Sequence, residues 1–350
     1  METSVQSRPI LTGTNSQGLV VNDQFYMQLA LDEAWKYQLL TYPNPAVGAV
    51  VVQNGTLLAI EAHQKAGTSH AEVLALLRAY ETLSQTRIDF NRFDAHHAHT
   101  FLLTLPKDFF SQCTLYVTLE PCAHTGKTPS CASLLSALQL KEVIIGMEDP
   151  IASHSGGRKQ LQKSKIGILK EACEALLEPF MIWQERAFVL FKLAQTSNGR
   201  IGGGYLSGKE SLYHVHQMRE VCSRLLIGGN TVRTDRPTLD CRFSKAEAPA
   251  VTIYSKEKKF DEAIPLFGVK GREVNVTEDL SFLRHPSFIL VEGGEGMLQA
   301  LKEKIDWILF YQTPKLSTNQ LSYNSDINLT FLHTNRKGAD MMIWSRKRGY

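Results

Sequence analysis

The sequence predicts a mixed α/β protein of two domains. The chain has 350 residues, enough for about two domains. Helical and strand-like apolar patterns alternate in both halves, and a Pro-, Ser- and Gly-containing break lies near residues 149–157. We expect a flexible segment at 1–21, a first domain at 22–150 with an insertion at about 81–112, a linker with a bridging helix at 151–187, and a second domain at 188–350.

The first half begins with apolar residues at helical intervals, which predict an amphipathic helix from Asn22 to Leu40. Two β-rich runs flank Asn54-Gly55 and predict a hairpin. The remaining elements follow from their apolar periods: a helix at Ala71–Tyr80, a strand at Thr114–Leu119, a helix at Ala132–Leu140 and a strand at Glu142–Met147. Alternating helices and strands indicate a layered sheet.

The interval from Glu81 to Gln112 shows no clear period and is longer than most connections, so we interpret it as an insertion. It contains the run Asp94-Ala-His-His-Ala-His99. No cysteine or carboxylate stands beside these histidines at ligand spacing, and we expect a solvated loop rather than a metal site.

The second half has its own series of strand-like runs, after a bridging helix predicted at Lys170–Ala187. The predicted strands are Phe188–Ala194, Arg224–Ile227, Ala250–Tyr254, Ser287–Val291 and Asp306–Tyr311, with a helix at Met297–Glu303. This half therefore also reads as α/β with a separate sheet. The C-terminal cluster SRKRGY is expected to be a solvated tail.

The composition narrows the class of protein. Thirty-eight basic and 35 acidic residues leave a net charge of +3, which disfavours a dedicated nucleic-acid binder. Six irregularly spaced cysteines indicate a reducing compartment, and we expect a cytoplasmic protein. Neither a secretory signal nor a long apolar run is evident, so we expect no membrane partner.

One imidazole and two thiols stand out as candidate metal ligands: His70, Cys122 and Cys131, the cysteines within TLEPCAHTGKTPSC. Three protein ligands leave the fourth position of a tetrahedral zinc for water, which zinc activates at neutral pH. Glu72 would then move protons between the water and a departing nitrogen. His70 and Glu72 could converge only from the first turn of a helix.

A closed structural site is the alternative, because His124 lies between the two cysteines and could be a fourth ligand. We favour the open site, since Glu72 has a role there and none at a closed one. The His-x-Glu and Pro-Cys pattern is shared with zinc-dependent nucleobase deaminases, although here eight residues separate the cysteines.

The motifs YPNPAVGAVVV, AHQKAGTSHAEVLAL and YVTLEPCAHTGKTPSC together resemble the bifunctional deaminase–reductase family of riboflavin biosynthesis, called RibD. The resemblance implies a cytidine-deaminase-like α/β/α sandwich with zinc on the three ligands and Glu72 as proton shuttle. It implies removal of an amino group from 2,5-diamino-6-ribosylamino-4(3H)-pyrimidinone 5′-phosphate. The implied substrate residues are Asn44, His63, His124 and Lys127.

The second half resembles the reductase half of the same family, a dihydrofolate-reductase-like α/β domain. VLFKLAQTSNGRIGG, HQMREVCSRLLIGGNTVRTDRPTLDCR and ILVEGGEGML carry the similarity. It implies NADPH, which would reduce the ribosyl side chain to ribityl, and a homo-oligomer. The implied cofactor residues are Ala194, Thr231, Asp235, Gly294, Glu295 and Gly296, and the implied substrate residues are Lys192, Arg219, Leu239, Arg242 and Glu292.

This half is shortened and departs from the family pattern. Asn198 stands where the family has an aspartate, and Leu212 lies in a stretch that lacks an expected tryptophan. Three alternatives therefore stay open. The chain could be a monofunctional deaminase with a noncatalytic second domain, a binding module with a closed zinc site, or a polynucleotide deaminase, which the balanced charge disfavours.

Overall fold

A computed structural model describes residues 22–152, 155–202, 204, 206–243 and 246–348. The expected flexible segment 1–21 lies outside the described residues. The first half forms, in chain order, α1 (Asp23–Trp35), β1 (Gly48–Gln53), β2 (Thr56–Ala62), α2 (Ala71–Ser84), α3 (Ala95–Thr104), β3 (Cys113–Leu119), α4 (Cys131–Ala137), β4 (Glu142–Met147), β5 (Ser164–Ile166) and the bridging α5 (Lys170–Glu185).

The first sheet has five strands in the order β2-β1-β3-β4-β5. β1 pairs antiparallel with β2 and β3, whereas β3, β4 and β5 run parallel. Alternation along β1 separates two cores: Val50 and Val52 pack in the cluster that contains α1, and Ala49 and Val51 pack in the cluster that contains α2. Helices therefore cover both faces of the sheet, as the predicted α/β/α sandwich requires.

The expectation of an irregular, solvated loop across the histidine run was wrong, because the run forms α3. The Asp94 carboxylate caps this helix by accepting from the backbone N–H groups of His96 and His97. His97 stacks on Phe90 at a centroid distance of 4.2 Å. The apolar period was hidden because α3 buries few side chains against the sheet, among them Leu102.

The second half forms a sheet of eight strands. Its elements are β6 (Ala187–Thr196), α6 (Lys209–Val221), β7 (Arg224–Gly228), α7 (Gly229–Asp235), β8 (Val251–Tyr254), β9 (Val274–Thr277), β10 (Ser287–Glu292), α8 (Glu295–Leu301), β11 (Trp307–Thr313), β12 (Leu329–Lys337) and β13 (Asp340–Lys347). The strand order is β12-β13-β11-β6-β10-β7-β8-β9. The strands from β11 to β9 along this order are parallel, so their carboxyl ends share one edge.

The expected solvated tail is also a correction. Ser345 to Lys347 belong to β13, the Ser345 side chain is buried, and Arg346 pairs with Glu178 at 3.0 Å. Sequence reasoning missed this strand because its basic residues alternate with buried apolar ones such as Trp344. A cationic run at a chain end is compatible with an antiparallel strand when its long side chains reach acidic partners.

An apolar cluster joins the two domains. The Trp35 ring of α1 stacks on Trp307 at 5.8 Å and on His333 at 5.1 Å, both from the second sheet. Helix α5 packs against α1, β4, β6 and β10. The bridging helix therefore contacts both domains. None of the described helices has the length and apolar character needed to cross a bilayer.

Candidate active sites

The three predicted metal ligands meet at two helix starts. His70 is the N-cap of α2 and adopts extended backbone angles, so its ring turns away from the helix axis. Cys131 opens α4, and Cys122 lies in the loop after β3. Glu72 lies in the first turn of α2 and is buried. His70 and Glu72 therefore come together at the end of the helix, as the sequence requires for an open site.

The atomic distances fit a tetrahedral zinc. His70 Nδ1 lies 3.8 Å from Cys122 Sγ and 3.4 Å from Cys131 Sγ. Tetrahedral bonds of roughly 2.1 Å to nitrogen and 2.3 Å to sulfur place such atoms about 3.6 Å apart. His70, Cys122 and Cys131 form a group whose ligand atoms all lie within 4.8 Å of one another, and His124 does not belong to this group.

Hydrogen bonds prepare this donor set. Thr128 Oγ1 lies 3.1 Å from His70 Nε2, so an N–H on Nε2 leaves Nδ1 to face the sulfurs. Hydrogen bonds from the Cys131 thiol, His70 and the Cys131 backbone hold the pKa of the Cys122 thiol well below its ordinary value. Burial raises the pKa of the Glu72 carboxyl.

All four predicted deaminase substrate residues line one cavity of about 400 Å³ together with His70, Glu72 and Cys122. His63 Nδ1 lies 3.2 Å from the Ser69 carbonyl oxygen, which assigns the proton to Nδ1, and Nε2 then accepts from the Asn44 amide at 3.1 Å. Burial and the neighbouring His70 lower the pKa of His63 to about 4, so the ring is neutral near pH 7.

Sequence reasoning missed several residues of this cavity. Its wall also includes Asp149, Phe180 and Gln184, which follow the motifs by 18 residues or more and carry no pattern of their own. The Glu120 carboxylate accepts from the backbone N–H groups of Asp149, Gly156 and Arg158, and so holds the loop that follows β4. Glu120 stands within the motif, but nothing in the sequence names its partners.

In the second domain, Lys192, Arg219 and Glu292 form one buried ionic cluster. Glu292 ends β10 opposite Lys192 of β6, and their charged atoms lie 3.0 Å apart. Both Nε and Nη2 of Arg219 lie 2.7 Å from Glu292 Oε1. Burial alone would raise the pKa of Glu292, but the Arg219 and Lys192 cations outweigh it and hold the pKa far below its usual range.

The other predicted substrate residues lie around this cluster. Leu239 is buried with a left-handed backbone (φ 55°), and Arg242 is half exposed and pairs with Asp240 at 2.8 Å. Arg272 donates to the carbonyl oxygens of Thr238 and Leu239 at 2.5 and 2.6 Å. Arg272 therefore holds the loop that carries two predicted substrate residues, a role no sequence motif indicated.

The predicted cofactor residues lie at the carboxyl edge of the parallel strands, where α/β sheets bind nucleotides. Cβ atoms at Gly228 and Gly293 would lie 3.8 and 3.9 Å from Thr231 Oγ1, so this hydroxyl stands between the two glycine turns. Cβ atoms at Gly294 and Gly296 would meet open space. The remaining predicted residues are Ala194 in β6, Asp235 at the exposed end of α7, and Glu295, whose carboxylate accepts from Gln299 and Ser325.

The departure at Asn198 has a local reason. Its amide nitrogen donates to the Ser317 carbonyl oxygen at 2.8 Å, and its amide oxygen accepts from the Ser317 N–H at 3.1 Å. A carboxylate could accept but could not donate. The amide therefore joins the turn after β6 to the connection that follows β11.

Comparisons with known proteins match both domains. Residues 20–147 match the family described as "Cytidine and deoxycytidylate deaminase zinc-binding region", and residues 187–343 match the "RibD C-terminal domain". The riboflavin biosynthesis protein RibD of Aquifex aeolicus is 32% identical over 93% of this chain and 98% of its own length. The chain belongs to the RibD family. The RibD of Actinobacillus pleuropneumoniae is 35% identical over 65% of this chain, and the aligned part spans 57% of that relative.

Solved RibD structures share the fold. A Thermotoga maritima protein described as a diaminohydroxyphosphoribosylaminopyrimidine deaminase/5-amino-6-(5-phosphoribosylamino)uracil reductase has a TM-score of 0.62 and 26% identity, covering 93% of this chain and 98% of its own. RibD of Acinetobacter baumannii has a TM-score of 0.63 at 23% identity, covering 93% of this chain and 99% of its own. The predicted fold class is confirmed: a zinc-binding deaminase domain fused to a RibD reductase domain.

These matches decide between the alternatives. The chain is a zinc-dependent deaminase fused to a reductase, and both domains match over most of their length. A noncatalytic second domain, a closed zinc module and a polynucleotide deaminase are not favoured.

Proposed function

We propose that the first domain hydrolyses the amino group of 2,5-diamino-6-ribosylamino-4(3H)-pyrimidinone 5′-phosphate and that the second domain reduces the ribosyl side chain with NADPH. One observation carries the first step. A single cavity brings a buried carboxylate beside a His–Cys–Cys donor set and four polar residues suited to a phosphorylated heterocycle.

His70, Cys122 and Cys131 would hold the zinc, which supplies a nucleophilic water at neutral pH. Glu72 accepts a proton from the attacking water and passes it to the departing amino nitrogen, which leaves as ammonia while the ring carbon gains a carbonyl oxygen. Glu72 is suited to this relay because it is buried beside the donor set and burial raises its pKa.

The other cavity residues orient the substrate. Asn44 is held by the neutral His63 ring, which leaves one amide N–H and the amide oxygen of Asn44 for the pyrimidine. Lys127 carries the charge that suits a phosphate or a ring oxygen, and His124 lines the same cavity.

For the reductase, the proposal rests on the two glycine turns and on the ionic cluster. Open space at Gly294 and Gly296 lets a dinucleotide backbone approach closely. NADPH supplies the hydride that converts the ribosyl carbon to the ribityl chain. Lys192 and Arg219 against Glu292 leave one positive charge in excess, which suits an anionic substrate.

The proposal specifies a small-molecule substrate and a cytoplasmic setting. The cavity of about 400 Å³ suits a single nucleotide. All six cysteines carry free thiols, as a reducing compartment preserves them. Light scattering of the pure protein tests the expected homo-oligomer.

Product analysis tests both steps. The zinc-loaded protein should release ammonia from the diaminopyrimidine substrate without NADPH and should consume NADPH only once the deaminated intermediate is present. Ammonia release with no NADPH consumption would limit the function to the deaminase. No ammonia release from zinc-loaded protein would overturn the proposal for the first domain.

A further inference from the structure

The deaminase cavity has a wall that comes from outside both matched family regions. Phe180 and Gln184 line it, and both belong to α5, whereas the family matches cover residues 20–147 and 187–343. The two residues stand four apart on one helix and therefore share a face. The bridging helix thus presents one face to the deaminase cavity.

Contacts on both sides hold α5 in this place. The Gln38 amide donates to the Leu176 carbonyl oxygen at 2.6 Å in a buried position. Tyr42 packs edge-to-face on Trp183 at 5.0 Å, and the Tyr42 hydroxyl lies 2.9 Å from Ser223 Oγ in the second domain. Tyr42 stands two residues before Asn44, so the loop that carries this substrate residue is anchored to α5.

The two α5 residues differ in depth and chemistry. Phe180 is only 5% exposed and joins Val47 and Leu119 among the apolar residues of the wall. Gln184 is exposed, so it stands at the mouth. Its amide nitrogen donates to the Phe180 carbonyl oxygen at 3.3 Å, and its amide oxygen makes no hydrogen bond with any described residue.

We propose that Phe180 and Gln184 contact the deaminase substrate and set its specificity. Phe180 packs against the pyrimidine ring, and Gln184 faces the ribosyl phosphate at the cavity mouth. This inference rests on the proposed function of the first domain. It follows that the bridging helix is part of the deaminase site and that the first domain alone lacks one wall of its cavity.

The decisive variant is Gln184→Glu, tested in the full-length zinc-loaded protein. A carboxylate at the mouth repels the substrate phosphate, and we expect KM for deamination to rise at least tenfold while kcat stays within twofold. Gln184→Ala should raise KM about threefold through the lost hydrogen bond. The matched control is Glu185→Gln, the reverse exchange at the adjacent exposed position outside the cavity wall. This control should leave KM unchanged.

Phe180→Leu keeps an apolar side chain and removes the aromatic face. We expect a KM increase of about fivefold, with zinc content and reduction of the deaminated intermediate unchanged. Those two measurements report whether the chain is folded independently of the deaminase. Calorimetric binding of the deaminated product should weaken in parallel with KM.

The outcomes separate the two proposals. If the wild-type protein deaminates the substrate while Gln184→Glu and Phe180→Leu match the Glu185→Gln control in KM and product binding, the role of α5 is refuted and the proposed function stands. If the wild-type protein releases no ammonia, the proposed function itself fails.

Discussion

Replacing Thr128 by valine should weaken zinc binding without touching a ligand. The valine keeps the size of the side chain and removes the hydroxyl that lies 3.1 Å from His70 Nε2. His70 then loses the partner that keeps its proton on Nε2 and turns Nδ1 toward the two sulfurs. Losing such an outer hydrogen bond typically reduces metal affinity by about 10–100-fold, or roughly 1.4–2.8 kcal/mol.

The assay is competition for zinc between the protein and a chromophoric chelator at fixed pH. Thr128→Ser retains the hydroxyl and should bind zinc within about threefold of the wild type. Reduction of the deaminated intermediate by the second domain reports that each variant is folded. Equal zinc affinity for the valine variant and the wild type would refute the claim that Thr128 orients His70.

The remaining predictions concern the relay, the ionic cluster and the pH dependence of stability. Glu72→Gln should lower deamination about 10²–10⁴-fold while zinc stays bound, and normal turnover in this variant would exclude the relay. Arg219→Met leaves the Glu292 carboxylate buried with one cation fewer, so denaturant unfolding should show a loss of about 3–5 kcal/mol, against less than about 1 kcal/mol for the half-exposed Arg242→Met. A similar loss in both variants would contradict the burial argument. Burial and Lys337 lower the pKa of His214 to about 3, below its value in the unfolded chain, so its contribution to stability is complete above pH 6.5 and is lost as pH falls from 6.5 toward 3. The wild type should lose roughly 3 kcal/mol of unfolding free energy between pH 7 and 4.5 through this group, and His214→Gln should lack this part of the dependence. An unchanged dependence in that variant would show that His214 is already accessible to protons in the folded state.

The two sites were predictable to different degrees. The zinc ligands and Glu72 follow from motif spacing, because a helix start and one loop are enough to bring them together. Arg219 shows the opposite case. The sequence resemblance implied a substrate contact, whereas the structure gives three of its donor atoms to Glu292 and to the Asp240 carbonyl oxygen. Its direct contact with substrate stays a prediction.

Secondary structure followed the same division. Buried parallel strands such as β10 were evident because both of their faces are apolar. Helix α3 and strand β13 were missed, since each buries only part of its surface and carries charged or polar residues that resemble a solvated segment.

The sequence by itself determined the α/β class, the two-domain order and the chemistry of the deaminase centre. These depend on local patterns: apolar period, turn residues and ligand types within short stretches. Tertiary structure alone decided that α5 forms a wall of the deaminase cavity, that Thr128 supports His70 and that Arg219 is paired with Glu292. Such contacts join residues about 60 to 140 positions apart, and their geometry depends on how helices pack on sheets. Packing of this kind leaves no periodic trace in the chain.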